Sequence, residues 1–162
     1  MTGLDELYRE VILDHYRSPH GAGAVDNPTV EVEGHNPLCG DELHMHLDIA
    51  DGAIRAVHID PRGCSISVAS ASMLAQQLEG ASLQDAIELK RTFQQVMKGG
   101  DWPEGFDPGD LEALEGVKNF PVRIKCALLA WMTLEQALAD YDAELVGEVE
   151  GDRDIEVISK RS

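Results

Sequence analysis

The chain has 162 residues, with 30 acidic against 13 basic side chains and a formal net charge of -17. One domain of that size buries about 70% of its unfolded surface without staples, while the acidity, with no basic stripe, excludes a grip on nucleic-acid phosphates. Three cysteines in unpaired settings make no disulfide framework, no segment nears the ~18 apolar residues of a membrane helix, and the start MTGLDELYRE lacks a signal peptide's basic and apolar regions, so a soluble cytoplasmic protein with no membrane partner is expected.

Residues 4–17 carry Leu4, Leu7, Tyr8, Val11, Ile12 and Tyr16 at three- and four-residue spacing, which predicts an amphipathic helix stopped by Ser18 and Pro19. A loop with Gly21, Gly23 and Pro28 leads into the alternating TVEVEG, a short strand. Two further alternating runs, DELHMHLDIA and AIRAVHID, meet at Asp51-Gly52 and predict a hairpin. With a three-residue loop from Ala50 to Gly52, Leu43 faces Ile59 and Met45 faces Val57, which lines one apolar face and leaves His44, His46 and His58 on the other. Those histidines read as the polar side of a half-buried sheet before they read as a metal site, and His15, His20 and His35 have no partner at ligand spacing.

A helix is predicted from Ser65 to Leu78, with a small-residue face of Ala69, Ser70, Ser72 and Ala75 suited to close packing. Its serines read as cap and packing residues rather than nucleophiles. Ser82 with Asp85 makes a cap for a second helix ending near Met97. GGDWPEGFDPGD reads as an ordered loop, and Pro121 suits the first turn of a last long helix. Residues 143–162 are acidic with recurring glycine and read as a solvated tail behind a single domain spanning 1–142.

The cysteines sit in three distant segments, NPLCGD, RGCSIS and RIKCAL. A lone free cysteine is more often a small buried hydrophobe than a ligand. Together, however, Cys39, Cys64 and Cys126 with the carboxylate of Asp41 make the four donors that tetrahedral zinc requires. Cys64 and Cys126 fall near predicted helix starts, where the helix dipole favours thiolate. Cys39 lies in a tight turn between Pro37 and Gly40, and Lys125 and Arg123 are placed to offset anionic charge. Ligands drawn from separate elements, rather than from paired C-x-x-C knuckles, point to chemistry more than to a folding staple.

NPLCGDE, GCSISVASAS and FPVRIKCALLAW resemble the three cysteine motifs of the IscU/SufU (NifU N-terminal) family of iron-sulfur cluster assembly proteins, over the chain from the first helix to about Tyr141. The resemblance implies an α+β fold, a small three-stranded antiparallel sheet with helices packed on one face. Lys125 stands where scaffold members carry histidine before the third cysteine, and the segment before that cysteine is extended, so the chain looks SufU-type. That implies a zinc-dependent sulfurtransferase, partnered with a PLP-dependent cysteine desulfurase and feeding a downstream iron-sulfur scaffold. In that family Cys39, Asp41, Cys64 and Cys126 match the zinc ligands, and Cys39 matches the cysteine that accepts sulfur when a desulfurase histidine replaces it on the metal. The alternative is a scaffold that assembles a [2Fe-2S] cluster on the same cysteines.

Overall fold

Alternating side chains between Val30 and Arg62 build an antiparallel meander of β1 (Val30–Asn36), β2 (Asp41–Ala50) and β3 (Ala53–Arg62), preceded by α1 (Gly3–Arg17). The computed structural model describes residues 3–23 and 27–160. After the meander come α2 (Ser65–Leu78), α3 (Leu83–Met97), a 3-10 helix (Gly109–Asn119), α4 (Pro121–Tyr141), α5 (Ala143–Val146) and β4 (Glu156–Lys160). The fold is α+β as expected, but the sheet has four antiparallel strands rather than three, in the order β3-β2-β1-β4.

The fourth strand comes from the stretch expected to be a solvated tail. β4 pairs along β1 from Glu31 opposite Lys160 to His35 opposite Glu156, so it satisfies the edge that the meander leaves open. Ile155 is buried in the core at 6% exposure, and Lys125 reaches Asp152 at 2.7 Å and Asp154 at 3.4 Å. Five residues of apolar alternation were too short a signal among so many carboxylates. What recruits them is the unpaired backbone of β1.

The hairpin also differs from expectation. Asp51 (φ 54) and Gly52 (φ 74) both occupy the left-handed region, which makes a two-residue turn with Ala50 opposite Ala53. The extra residue sits in the strand instead: Ile49 faces Ile54 but Asp48 faces Ala56, so Arg55 bulges. This offset sets Met45 opposite Ile59 and Leu47 opposite Val57, and all four are fully buried. The apolar face survives because the bulge restores the period that the shorter turn would have broken.

On the outer face, His44 pairs with Glu33 at 2.9 Å, His46 with Glu31 at 3.2 Å and His58 with Asp48 at 3.6 Å. The polar-face reading of these histidines holds. His35 joins them through Glu33 at 2.8 Å, two residues back on the same face of β1.

The helices cover the inner face, α2 lying against β3 and α4 against β1 and β2. A Cβ at Gly34 would overlap Thr133 Oγ1, so this glycine sets how closely α4 crosses β1. Trp131 is fully buried, stacks on Phe93 with ring centroids 4.9 Å apart, and donates from Nε1 to Ser70 Oγ at 3.0 Å. Ser70 in turn donates to the Ala127 carbonyl at 2.6 Å, and Ser72 accepts the His20 backbone N–H at 2.8 Å. Both serines are structural bridges, as their small-residue face implied. No described helix is long and apolar enough to cross a membrane.

Candidate metal centre

Three element ends converge at one end of the sheet. The β1-β2 turn starts at Asn36, whose carbonyl accepts Cys39 N–H at 3.2 Å and Gly40 N–H at 2.9 Å, and Gly40 takes φ 73. That turn exposes Cys39 and returns the chain to Asp41, only 1% exposed, at the start of β2. Cys64 caps the N-terminus of α2, its sulfur accepting Ser67 N–H at 3.4 Å. Cys126 lies in α4, fully buried, one and a half turns beyond Pro121.

Cys126 Sγ is 3.5 Å from Cys39 Sγ, and Cys64 Sγ is 3.9 Å from Asp41 Oδ2. Ligand atoms of Cys39, Asp41 and Cys126 all lie within 4.8 Å of one another, and among the described residues this is the group arranged to hold a metal. Cys64 stands against the trio through Asp41, whose Oδ1 also accepts the Cys64 backbone N–H at 2.9 Å. With Zn–S bonds of about 2.3 Å, the edges of a tetrahedron are ~3.8 Å. The Cys39–Cys126 and Cys64–Asp41 separations fit that size, Cys64 lies outside the mutually close trio, and thiolate sulfur with carboxylate oxygen suits zinc.

The two inner thiols are electrostatically unequal. A hydrogen bond from Cys126, opposed by burial and helped by Ser67 N–H, lowers the Cys64 thiol to about 6. The Cys126 thiol is pushed up, first by its bond with Cys64 and then by burial. A dipole-activated Cys126 was expected. It sits too far into α4 to meet free N–H groups, and its thiol instead points back to the Val122 carbonyl at 3.7 Å.

Lys125 does not face the ligands. Burial works to lower its ammonium, but Asp152 and Asp154 outweigh that and hold it above its ordinary value. Asn36, which its sequence setting did not single out, also reaches the donor set. It is fully buried, and its Nδ2 donates to Asp41 Oδ2 at 3.4 Å and toward Cys126 Sγ at 3.8 Å. Its place at the head of NPLCGD was the available signal, since an asparagine opening a turn ordinarily reads as a turn former. Exposed Leu38, Phe120 and Val122 border the centre, and a groove of about 650 Å³ between α1, the 3-10 helix and the start of α4 opens beside Ser65 and Arg123.

Residues 7–146 match the NifU-like N terminal domain. The chain is 40% identical over 138 residues to the zinc-dependent sulfurtransferase SufU of Bacillus subtilis, covering 85% of this chain and 93% of that protein. It is 36% identical over 135 residues to the iron-sulfur cluster assembly scaffold protein IscU of Thermotoga maritima, covering 82% and 92%. A solved structure from Fervidobacterium islandicum AW-1, described as an iron-sulfur cluster assembly scaffold protein for the SUF system, superposes with a TM-score of 0.72 at 34% identity, covering 80% and 94%. The chain belongs to the NifU-like N-terminal domain family, the IscU/SufU proteins of iron-sulfur cluster assembly.

Proposed function

We propose that this protein is a zinc-dependent sulfur carrier that accepts persulfide sulfur on Cys39 from a PLP-dependent cysteine desulfurase and passes it toward an iron-sulfur scaffold. The observation that carries the reading is the inequality of the sulfurs: Cys39 is exposed, Cys64 is half-buried and Cys126 is buried, within one donor set. The 40% identity to a protein named as a zinc-dependent sulfurtransferase supports zinc as the resident metal. Cys39, Asp41, Cys64 and Cys126 would hold it.

Zinc held there would keep the cysteines as thiolates and damp their reactivity while they are bound. Cys39 is the ligand that solvent and a partner reach. Its thiolate attacks the terminal sulfur of a desulfurase persulfide, a new S–S bond forms at Cys39, the partner's S–S bond breaks, and the partner's cysteine leaves as thiolate. No external oxidant is required. Cys64 and Cys126 stay behind helix backbone and core. Exposed Leu38, Phe120 and Val122 around the exit fit a protein partner better than a small molecule.

The test is elemental analysis of the purified protein together with a desulfurase assay. About one zinc per chain, stimulation of the desulfurase, and loss of stimulation in Cys39→Ala are expected. Tight zinc binding with no effect on sulfur release would overturn the reading. Identity to scaffold proteins supports a second one, assembly of a [2Fe-2S] cluster on the same cysteines. Anaerobic reconstitution followed by rapid transfer to an apo-acceptor would favour it.

A further inference from the structure

Asn36 presents a physical problem. It is fully buried at the end of β1, yet its Oδ1 has no hydrogen-bond partner. Burying an amide oxygen without a bond costs about 1–3 kcal/mol on mutational scales. A leucine has nearly the same shape and would avoid that cost, so packing alone does not explain an amide here. What the amide does supply is Nδ2, directed at two of the anionic donors, Asp41 Oδ2 at 3.4 Å and Cys126 Sγ at 3.8 Å.

We propose that Asn36 is a positioning residue that ties Asp41 and Cys126 into the donor set and thereby leaves Cys39 as the ligand that exchanges. The inference rests on the zinc-ligand reading above.

Each ligand is restrained differently. Asp41 is gripped from both sides, by the Cys64 N–H on Oδ1 and by Asn36 on Oδ2. Cys64 has Ser67 N–H on its sulfur. Cys126 is enclosed by core and has the Asn36 amide beside its sulfur. Cys39 donates its backbone N–H to the Asn36 carbonyl, and its sulfur lies 3.5 Å from Cys126 Sγ. Asn36 therefore touches the centre twice: its carbonyl shapes the turn that exposes Cys39, and its amide restrains the ligands that stay. Hydrogen bonds to ligand atoms orient them and hold charge on them, and losing such a partner typically costs 10–100-fold in metal affinity.

The experiment uses the zinc-loaded full chain and compares wild type with Asn36→Leu and Asn36→Asp. Zinc loss to a chromogenic chelator gives the dissociation rate. A brief iodoacetamide pulse with peptide mass mapping identifies the cysteine that has left the metal, and thermal unfolding reports the fold. In wild type, label appears on Cys39 alone. Asn36→Leu is expected to keep a cooperative unfolding transition near the wild-type temperature, because relief of the unpaired buried oxygen offsets the weaker zinc linkage, yet to release zinc at least tenfold faster with label also on Cys126. A purely structural asparagine would not separate these readouts. Wild-type zinc release with label confined to Cys39 overturns the proposal. So does faster release with label still confined to Cys39, since Asn36 would then hold the site without selecting the leaving ligand. Should the leucine variant fail to fold, Asn36→Asp, which keeps the shape and removes the donor, is judged by the same two outcomes. Neither readout involves a desulfurase, so failed sulfur transfer with these results intact bears on the relay alone.

Discussion

Gly63 and Asp41 meet without room for a single further atom: a Cβ at Gly63 would overlap Asp41 Oδ1 and crowd its Cα. Gly63 also holds φ 150, a conformation that other residues avoid. The glycine before Cys64 is thus part of how Asp41 reaches the donor set. Gly63→Ala is expected to displace the Asp41 carboxylate and to lower zinc affinity at least tenfold, read by chelator competition. Far-UV circular dichroism should stay unchanged, because α2 begins beyond the strained residue.

Metal removal should leave the fold standing. Cys39, Asp41 and Cys64 sit at element ends, while Trp131, Phe93 and the buried faces of β2 and β3 form a core that extends well beyond Cys126. A chelator is expected to preserve helix content and lower the unfolding temperature, consistent with ligand linkage of about 4 kcal/mol at a thousandfold excess over Kd. Collapse of the circular dichroism signal on chelation would mean that the centre is a folding staple instead.

Lys90 and Glu135 form a buried ion pair, 2.6 Å long with side chains 6% and 3% exposed. Glu135 also accepts the Gly151 backbone N–H at 3.0 Å, so the pair anchors the C-terminal segment. Lys90→Met leaves that carboxylate without its cation and is expected to cost about 3–5 kcal/mol in urea unfolding. Combining it with Glu135→Leu should recover most of the loss, since removing both charges removes the desolvation problem.

Acid should loosen the outer sheet face. Glu33 is held below the usual carboxylate range, chiefly by its hydrogen bond from His35, with His44 and Lys160 adding to it against burial. A lowered folded value contributes stability that is complete above the unfolded value of about 4.3 and is lost as pH falls through the folded one. Wild type should therefore lose more stability between pH 5 and pH 3 than Glu33→Gln, compared by urea midpoint. Equal losses in the two proteins would remove Glu33 from the acid response.

What local sequence determined was whatever depends on near neighbours. The periods of α1 and α2, the cap at Ser82, Pro121 at the head of α4, and a hairpin turning at Asp51-Gly52 follow from residues within a few positions. The three cysteine segments also carried the family resemblance unaided. Tertiary structure decided the rest, because it depends on which distant backbones find each other. β4 exists because the edge of β1 was open, and His46 meets Glu31 because β1 and β2 set them opposite each other. Lys125 turns from the cysteine cluster because Asp152 and Asp154 are brought to it from the C-terminal segment. Spacing could nominate Cys39, Asp41, Cys64 and Cys126, but only packing made one sulfur exposed, another buried, and set a fully buried asparagine between two of the ligands.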